Sequence, residues 1–577
     1  MLTDARRTGS GVAGAGNAAP ARRLGQTAAI AAVPIGLFLL ALAIRAVLAA
    51  INPDPAYPDS AYYVDIARNI AAGKGFSENF LWTFIDVGGR IPANPHLPVP
   101  SNAHWAPLAS LVQVPFIWLL GPTRLASLLP FVLVGSLAAP LSWAIARDAG
   151  APLLVQAGAG FLGAVPGLAT VFMAQQDNFA LTMVLGGGAL WLTSRGLRGH
   201  ARSFAAAGLL IGLATLARTD GALLAAAPAA AFGWDRWRAW RDRRPPALAL
   251  AAAVGCALGF LVVVGPWWIR QLAVFGSISP SSGYGILWLR SFAELNSVTA
   301  PRTLSAFLAQ PLGQLIGSRV AGFTAAIAIY LGIVCAVFLA PFAAIGWWRR
   351  RRSVETGPWL VAAVVLLLVS GLLFAIHVPN GMFLHASVAL APHTYWLALE
   401  GIVALAGWIA ARRRSLDAGR LARLLVVSVL AIVTAGSALA ADVVGSGWQR
   451  TLAERRQVAS AIDVLAAPGD RLMSIDSATF EYLTGHGGIV SPDDPLPVVE
   501  QAARAYDVRW LILERDGEVR ALAPILSGSP PPDWLGPPAW VLPSASGAVE
   551  AAIYPVCFGH ALAGCTPGGA AMTWRAP

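Results

Sequence analysis

The sequence predicts a mainly α, polytopic membrane protein with a small α/β domain after its last span, and three observations carry that prediction. Of 577 residues, 56% are hydrophobic and only 12% charged, and apolar runs recur at about the 20 residues a helix needs to cross a bilayer. The arginines fall in short clusters between those runs, where the positive-inside rule places cytoplasmic anchors. After about residue 448 the long apolar runs stop and short strand-like segments begin. The net charge of +11 therefore belongs to membrane anchoring rather than to nucleic acid. No nucleic-acid motif, P-loop, dinucleotide fingerprint or zinc-finger spacing appears. Lys74 is the one lysine among 41 basic residues, a bias of genome composition.

Residues 1–27, rich in Ala, Gly and Arg, are too long and weakly patterned for a secretory signal and are expected to be a disordered cytoplasmic tail. The membrane domain is expected over 28–447. Its first span runs from about 28 to 50 and ends at Asn52-Pro53, with Arg6, Arg7, Arg22 and Arg23 before it, so the loop 51–122 is expected outside the cytoplasm. In that loop the stretch Tyr57 to Phe76 has Tyr62, Tyr63, Ile66, Ala67 and Ile70 at helical spacing and Gly73 and Gly75 at its end. That pattern predicts an amphipathic helix lying along the membrane surface. Pro58 suits the helix entry and puts Asp59 at or beside the N-cap, its carboxylate facing either backbone amides or a cavity.

Further spans are expected at about 123–147, 151–173, 178–195, 203–217, 220–234, 246–267, 321–348, 358–376, 391–411 and 424–445. Counting His104 to Leu120 as a span would put the cluster Arg236 to Arg244 outside, against the charge rule, so it is read as a second surface or re-entrant helix. Eleven spans result, with the C-terminus extracytoplasmic. The short spans 203–217 and 220–234 meet at Arg218-Thr219-Asp220-Gly221, which places Arg218 and Asp220 on the same side as Asp59. Residues Trp267 to Trp288 and the loop 268–320 are expected at the outer headgroup level, either closing over a substrate or as a passive cover.

The tail domain, 448–577, is expected to hold strands at Gly469 to Asp476, Val508 to Leu513 and Val549 to Val556, with a helix at Val498 to Tyr506. Cys557 and Cys565 lie in it, where an oxidising compartment allows a disulfide, two free thiols being the alternative. Cys256 and Cys335 sit inside spans as small apolar fillers.

The same bookkeeping collects Arg124, Gln175-Gln176-Asp177-Asn178, Arg270, His377, His385 and His393 at the outer face. Ionisable groups at membrane depth are costly and usually line a cavity or pair with one another. Each also has a plain structural reading: Arg218 and Asp220 paired at a turn, Arg270 a headgroup anchor beside two tryptophans, each His a satisfied loop residue.

Pro58-Asp59-Ser60-Ala61-Tyr62-Tyr63, Ile66-Ala67-Arg68-Asn69-Ile70, Gly73-Lys74-Gly75-Phe76 and His104-Trp105-Ala106-Pro107-Leu108 resemble the first outer loop of GT-C fold membrane glycosyltransferases. Within that fold they look most like bacterial relatives of dolichyl-phosphate-mannose protein mannosyltransferases and the lipid A aminoarabinose transferases. Gly212 to Gly221, Pro266-Trp267-Trp268-Ile269-Arg270 with Phe275-Gly276, and His385-Ala386-Ser387 before Leu390-Ala391-Pro392 follow in that family's order. The resemblance covers about 30–410 and, more loosely, the tail.

What it implies is a multi-pass enzyme of the cytoplasmic membrane that moves a sugar from a polyprenyl-phosphate donor to a lipid, glycan or protein acceptor at the outer face, among membrane lipids and without nucleic acid. By position Asp59 would be the catalytic base and Arg218 and Arg270, with Lys74 and Arg124 behind them, would bind the donor phosphate. Asp177, Asp220, Tyr62, Tyr63, His104 and His385 are the pocket candidates. Gln175-Gln176-Asp177 departs from the Ser-Glu pair of many relatives, so Asp177 either replaces a glutamate shaping the acceptor site or has no role. Asp65 is expected on another helix face, in solvent. No cofactor is required by this reading, and a divalent metal is used by some members of the fold. The competing class is a transporter or flippase, but the chain lacks the two similar halves and midplane charges such proteins tend to show.

Overall fold

The computed structural model describes residues 19–413, 415–544, 547–558 and 565. Residues 1–18 of the expected tail lie outside that set, and the first helix, Ala19–Ile51, begins within the remainder. Helix occupies each of the eleven predicted ranges. Among the described residues seven helices are long and apolar enough to cross a membrane, eight if the bent pair Leu153–Ala164 and Gly167–Ala174 is one span. The others are shorter or less apolar. Phe179–Leu197 buries three consecutive glycines, Gly186 to Gly188, against its neighbours.

Two details of the bundle bear on the site. The apolar run expected as one span over 321–348 is broken: helix runs over Leu312–Val334 and again over Ala340–Arg350, with Ala336 and Val337 at positive φ between them. The bent pair is held by Arg45 of the first span, whose guanidinium donates to the carbonyls of Gly163 and Ala164, both at 3.1 Å. The last carbonyls of a helix have no partner within it, and a buried cation takes them here. The chain then turns 50° and delivers Gln175 to Asn178.

The last helix of the bundle, Ala418–Leu465, is 48 residues long and runs on to join the tail domain. There a five-stranded sheet runs in the order Gly488–Val490, Arg471–Ser474, Val508–Glu514, Val549–Pro555, Trp540–Pro543. The first three strands are parallel and the last two pair antiparallel. Trp510 and Ile512 pack on Val458 and Ile462 of the long helix, and Leu511 and Leu513 pack on Val499 and Ala502 of Leu496–Ala505. Covered on both faces, the central strand reads as a continuous apolar run. Cys557 and Cys565 form a disulfide.

The first loop is bound into this domain. Leu81 bridges Ile489 at the sheet edge, with Leu81 N–H on the Gly488 carbonyl at 2.8 Å and Val490 N–H on the Leu81 carbonyl at 2.9 Å. The helix expected on a membrane surface, Pro58–Ala71, is instead buried along most of its length, from Ser60 to Ala67 and again at Asn69. It packs between the bundle and Ser477–Thr484 of the tail domain.

Candidate active site

Asp59 stands in the first turn of Pro58–Ala71, after an extended Tyr57 and with Pro58 pre-setting the helical φ. No side chain caps the helix. The Asp59 carboxylate faces a cavity of about 350 Å³. Tyr63 lies one turn on, and Trp82 and Trp105 form an aromatic wall with ring centroids 4.0 Å apart. Opposite stand Arg218 and Asp220, from the turn between Arg202–Ala217 and the 3₁₀ segment Thr219–Ala225, with His377 and His385 beside them. Ser281, Ile286 and Phe292 of the loop 268–320 close another wall.

Behind Asp59 the bent pair presents Asp177, fully buried. Its Oδ2 accepts from Tyr57 Oη at 2.8 Å and its Oδ1 from the Asn178 amide at 2.6 Å. His385 Nδ1 lies 2.8 Å from Asn178 Oδ1 and 3.5 Å from Asp177 Oδ2. Asp59, Asp177 and His385 each place one ligand atom within 4.8 Å of the others. Two carboxylates and an imidazole converging at that distance suit a divalent cation.

The electrostatics follow from crowding. Poor solvation first, and then the neighbouring charge of Asp177, push the Asp59 carboxyl up to about 8, with Arg218 pulling the other way. Burial raises Asp177 to about 6, opposed by the hydrogen bonds from Asn178 and Tyr57. Burial, then the charges of His377 and Arg218, bring His104 down to about 3, so it is neutral. Arg218 donates to both oxygens of Asp220, at 3.1 and 2.9 Å, and to the Met382 carbonyl at 3.3 Å. The pairing expected at that turn is present, and it lies on the cavity wall.

No family model matches the chain, and no curated protein matches it in sequence. Among solved structures, the oligosaccharyltransferase AglB of Archaeoglobus fulgidus in complex with an inhibitory peptide and a dolichol-phosphate is similar over 90% of this chain and 74% of its own, with a TM-score of 0.53 and 13% identity. The Archaeoglobus fulgidus oligosaccharyltransferase tethered to an acceptor peptide gives a TM-score of 0.54 at 14% identity over the same shares. ArnT of Cupriavidus metallidurans bound to undecaprenyl phosphate is similar over 92% of this chain and 98% of its own, with a TM-score of 0.49 and 16% identity. This chain has the GT-C fold.

Within its GT-C fold the chain gathers some of the predicted site residues and disperses others. Asp59, Tyr63, His104, Arg218, Asp220 and His385 line the cavity, with Asp177 directly behind. Tyr62 does not line it; its hydroxyl accepts from the Asn102 amide at 2.9 Å inside the aromatic cluster. Arg270 is also elsewhere, wedged among Phe76, Trp267 and Phe275 and donating to the Phe76 carbonyl at 3.3 Å. Lys74 is exposed in the turn after the helix, and Arg124 pairs with Asp54 at 2.6 Å in a different hollow. Asp65, expected in solvent, is buried and accepts from Asn79 Nδ2 at 2.6 Å and the Asn79 amide at 3.1 Å, because the tail domain covers that face of the helix. Tyr57, which holds Asp177, was not legible as a site residue because its partner is far away in sequence; Asn178, collected at the outer face with Asp177, holds His385.

Proposed function

We propose that this chain is a glycosyltransferase of the cytoplasmic membrane, moving a sugar from a polyprenyl-phosphate-linked donor to a hydroxyl or similar group of an acceptor at the outer face. In this reading the N-terminus is cytoplasmic and the tail domain extracytoplasmic. The observation that supports it most is the meeting of an acid from the first loop and an arginine from mid-chain in one cavity, in a fold shared with an oligosaccharyltransferase.

Asp59 takes the acceptor proton as the acceptor oxygen attacks the anomeric carbon. The bond from that carbon to the donor phosphate oxygen breaks, and its electron pair leaves with the lipid phosphate. A positioned carboxylate contributes about 100- to 10,000-fold to such a step. Arg218, its charge shared with Asp220, offers its remaining N–H donors to the phosphate oxygens. The Trp82 and Trp105 faces give the sugar ring an apolar platform. Asp59, Asp177 and His385 would hold a divalent cation, which when bound supplies further positive charge against the leaving phosphate.

The test is transfer by the purified protein from radiolabelled polyprenyl-phosphate sugars to candidate acceptors. Asp59→Asn should lose at least about 100-fold in rate while remaining folded, and Arg218→Ala should weaken donor binding more than acceptor binding. An Asp59→Asn protein that transfers as fast as wild type would remove the base assignment. Chelation followed by addition of single divalent cations should abolish and then restore activity if the cluster holds a metal.

A further inference from the structure

Arg124, expected beside the donor phosphate, lies in a second cavity of about 540 Å³. That cavity sits at the end of Pro58–Ala71 remote from Asp59, roughly 13 Å along the helix axis. Arg68 enters it from the last turn of that helix, Arg124 from the first turn of Arg124–Asp148, Arg456 from the long helix and Tyr482 from the tail domain. Asp54, just beyond the span Ala32–Ile51, is buried at its floor. Because Asp54 and Arg124 flank the ends of two candidate spans, the cavity opens where hydrocarbon gives way to headgroups.

Arg124 and Arg456 share the two oxygens of Asp54, and Tyr482 Oη donates to Asp54 Oδ1 at 2.9 Å. That network clamps the tail domain to the bundle, and it pairs Asp54 with two of the three arginines that line the hollow. It does not account for Arg68. Among the described residues Arg68 makes no ion pair within 4.0 Å, although the carboxyls of Asp65 and Glu481 feel its charge; its guanidinium lies 4.9 Å from the Tyr482 ring centre, and its buried Nε has no hydrogen-bond partner. Each guanidinium carries five N–H donors in a planar fork. Three of them against the carboxylates of Asp54 and Asp463 leave the hollow with a net positive charge, and the Nε of Arg68 has its hydrogen-bonding capacity unused. Thr123 caps the helix that begins here, adding the partial positive charge of its N-terminus.

We propose that this hollow is a second anion site, which takes the phosphate group of a headgroup at the membrane surface. It is separate from the cavity of Asp59 and Arg218, and it stands whether or not Asp59 is a base. The shared chemistry is a phosphate ester or phosphate, reaching the site either on a lipid or from solution.

Native mass spectrometry of the full-length protein in maltoside detergent, which carries no phosphate, tests this with dioctanoyl phosphatidic acid, dioctanoylglycerol and inorganic phosphate. Phosphatidic acid should bind and dioctanoylglycerol should not. Arg68→Gln and Arg124→Gln should each weaken that binding by about tenfold, with Arg68→Lys falling between. Competition by inorganic phosphate would support the site with a soluble source, and failure to compete would support it with a lipid source. Equal binding of phosphatidic acid and dioctanoylglycerol, or unchanged affinity in both glutamine variants, would overturn the proposal. Should a variant fail to fold, wild-type binding decides: it must weaken as salt rises from about 50 to about 500 mM, and indifference to salt would equally overturn it.

Discussion

Asp59 shows how one carboxylate acquires a chemical bias from its surroundings. A base must be ionised to accept a proton, and a group raised to about 8 is ionised only as the pH climbs through that value. The rate at low donor concentration should therefore rise through about pH 8 and level off above it. Burial is the larger cause of the raised Asp59 and the charge of Asp177 the second, so Asp177→Asn should move the rising limb part of the way to lower pH; a limb that stays in place would assign the titration to another group. Asp65 shows the converse. Its sequence position, off the face of Asp59, was legible, but its environment was not, because the asparagine that binds it and the helix that covers it come from other parts of the chain.

Elements in this bundle approach one another through glycine. A methyl group on Gly346 would overlap the Leu397 carbonyl, and one on Gly401 would overlap the Phe342 carbonyl, so Ala340–Arg350 and Ala391–Arg412 touch backbone to backbone. Gly346→Ala should lower the stability of the detergent-solubilised protein by about 1–3 kcal/mol, read as a thermal midpoint. Gly407→Ala, on the same second helix with open space around it, should be neutral or slightly stabilising. The position of each helix was legible from apolar runs. The break within 321–348 left the hydropathy unbroken, and its one sequence signal was Pro341, which stands in the first turn of the second segment, where proline is tolerated. The burial of Pro58–Ala71 was hidden because its polar face meets protein rather than water or headgroups.

At the scale of the whole molecule the tail domain organises the site from outside. Asp494 of that domain accepts from Ser297 Oγ at 2.7 Å and from the Val298 amide at 2.6 Å, and it also bonds Thr299. Those residues follow directly on the segment whose Ser281, Ile286 and Phe292 wall the cavity. Asp494→Ala should speed amide hydrogen exchange across residues 276–300 and weaken substrate binding, while protection in the bundle helices stays as in wild type. Unchanged exchange in that loop would show that the docking is unnecessary to its order.

Taken alone, the amino-acid sequence determined the class of the molecule, the location of its helices and three of the five strands of its tail sheet. These follow from periodicity and hydropathy, which are local. It also singled out Asp59 and Arg218. Only the tertiary structure decided that those two share a cavity with His385, that Asp177 stands behind Asp59, and that Arg124 and Arg270 lie elsewhere. Charge and hydropathy assign a residue to a side of the bilayer, but the direction of a side chain is set by what packs against its helix, and for Asp177 and His385 those neighbours, Tyr57 and Asn178, lie more than a hundred residues away along the chain.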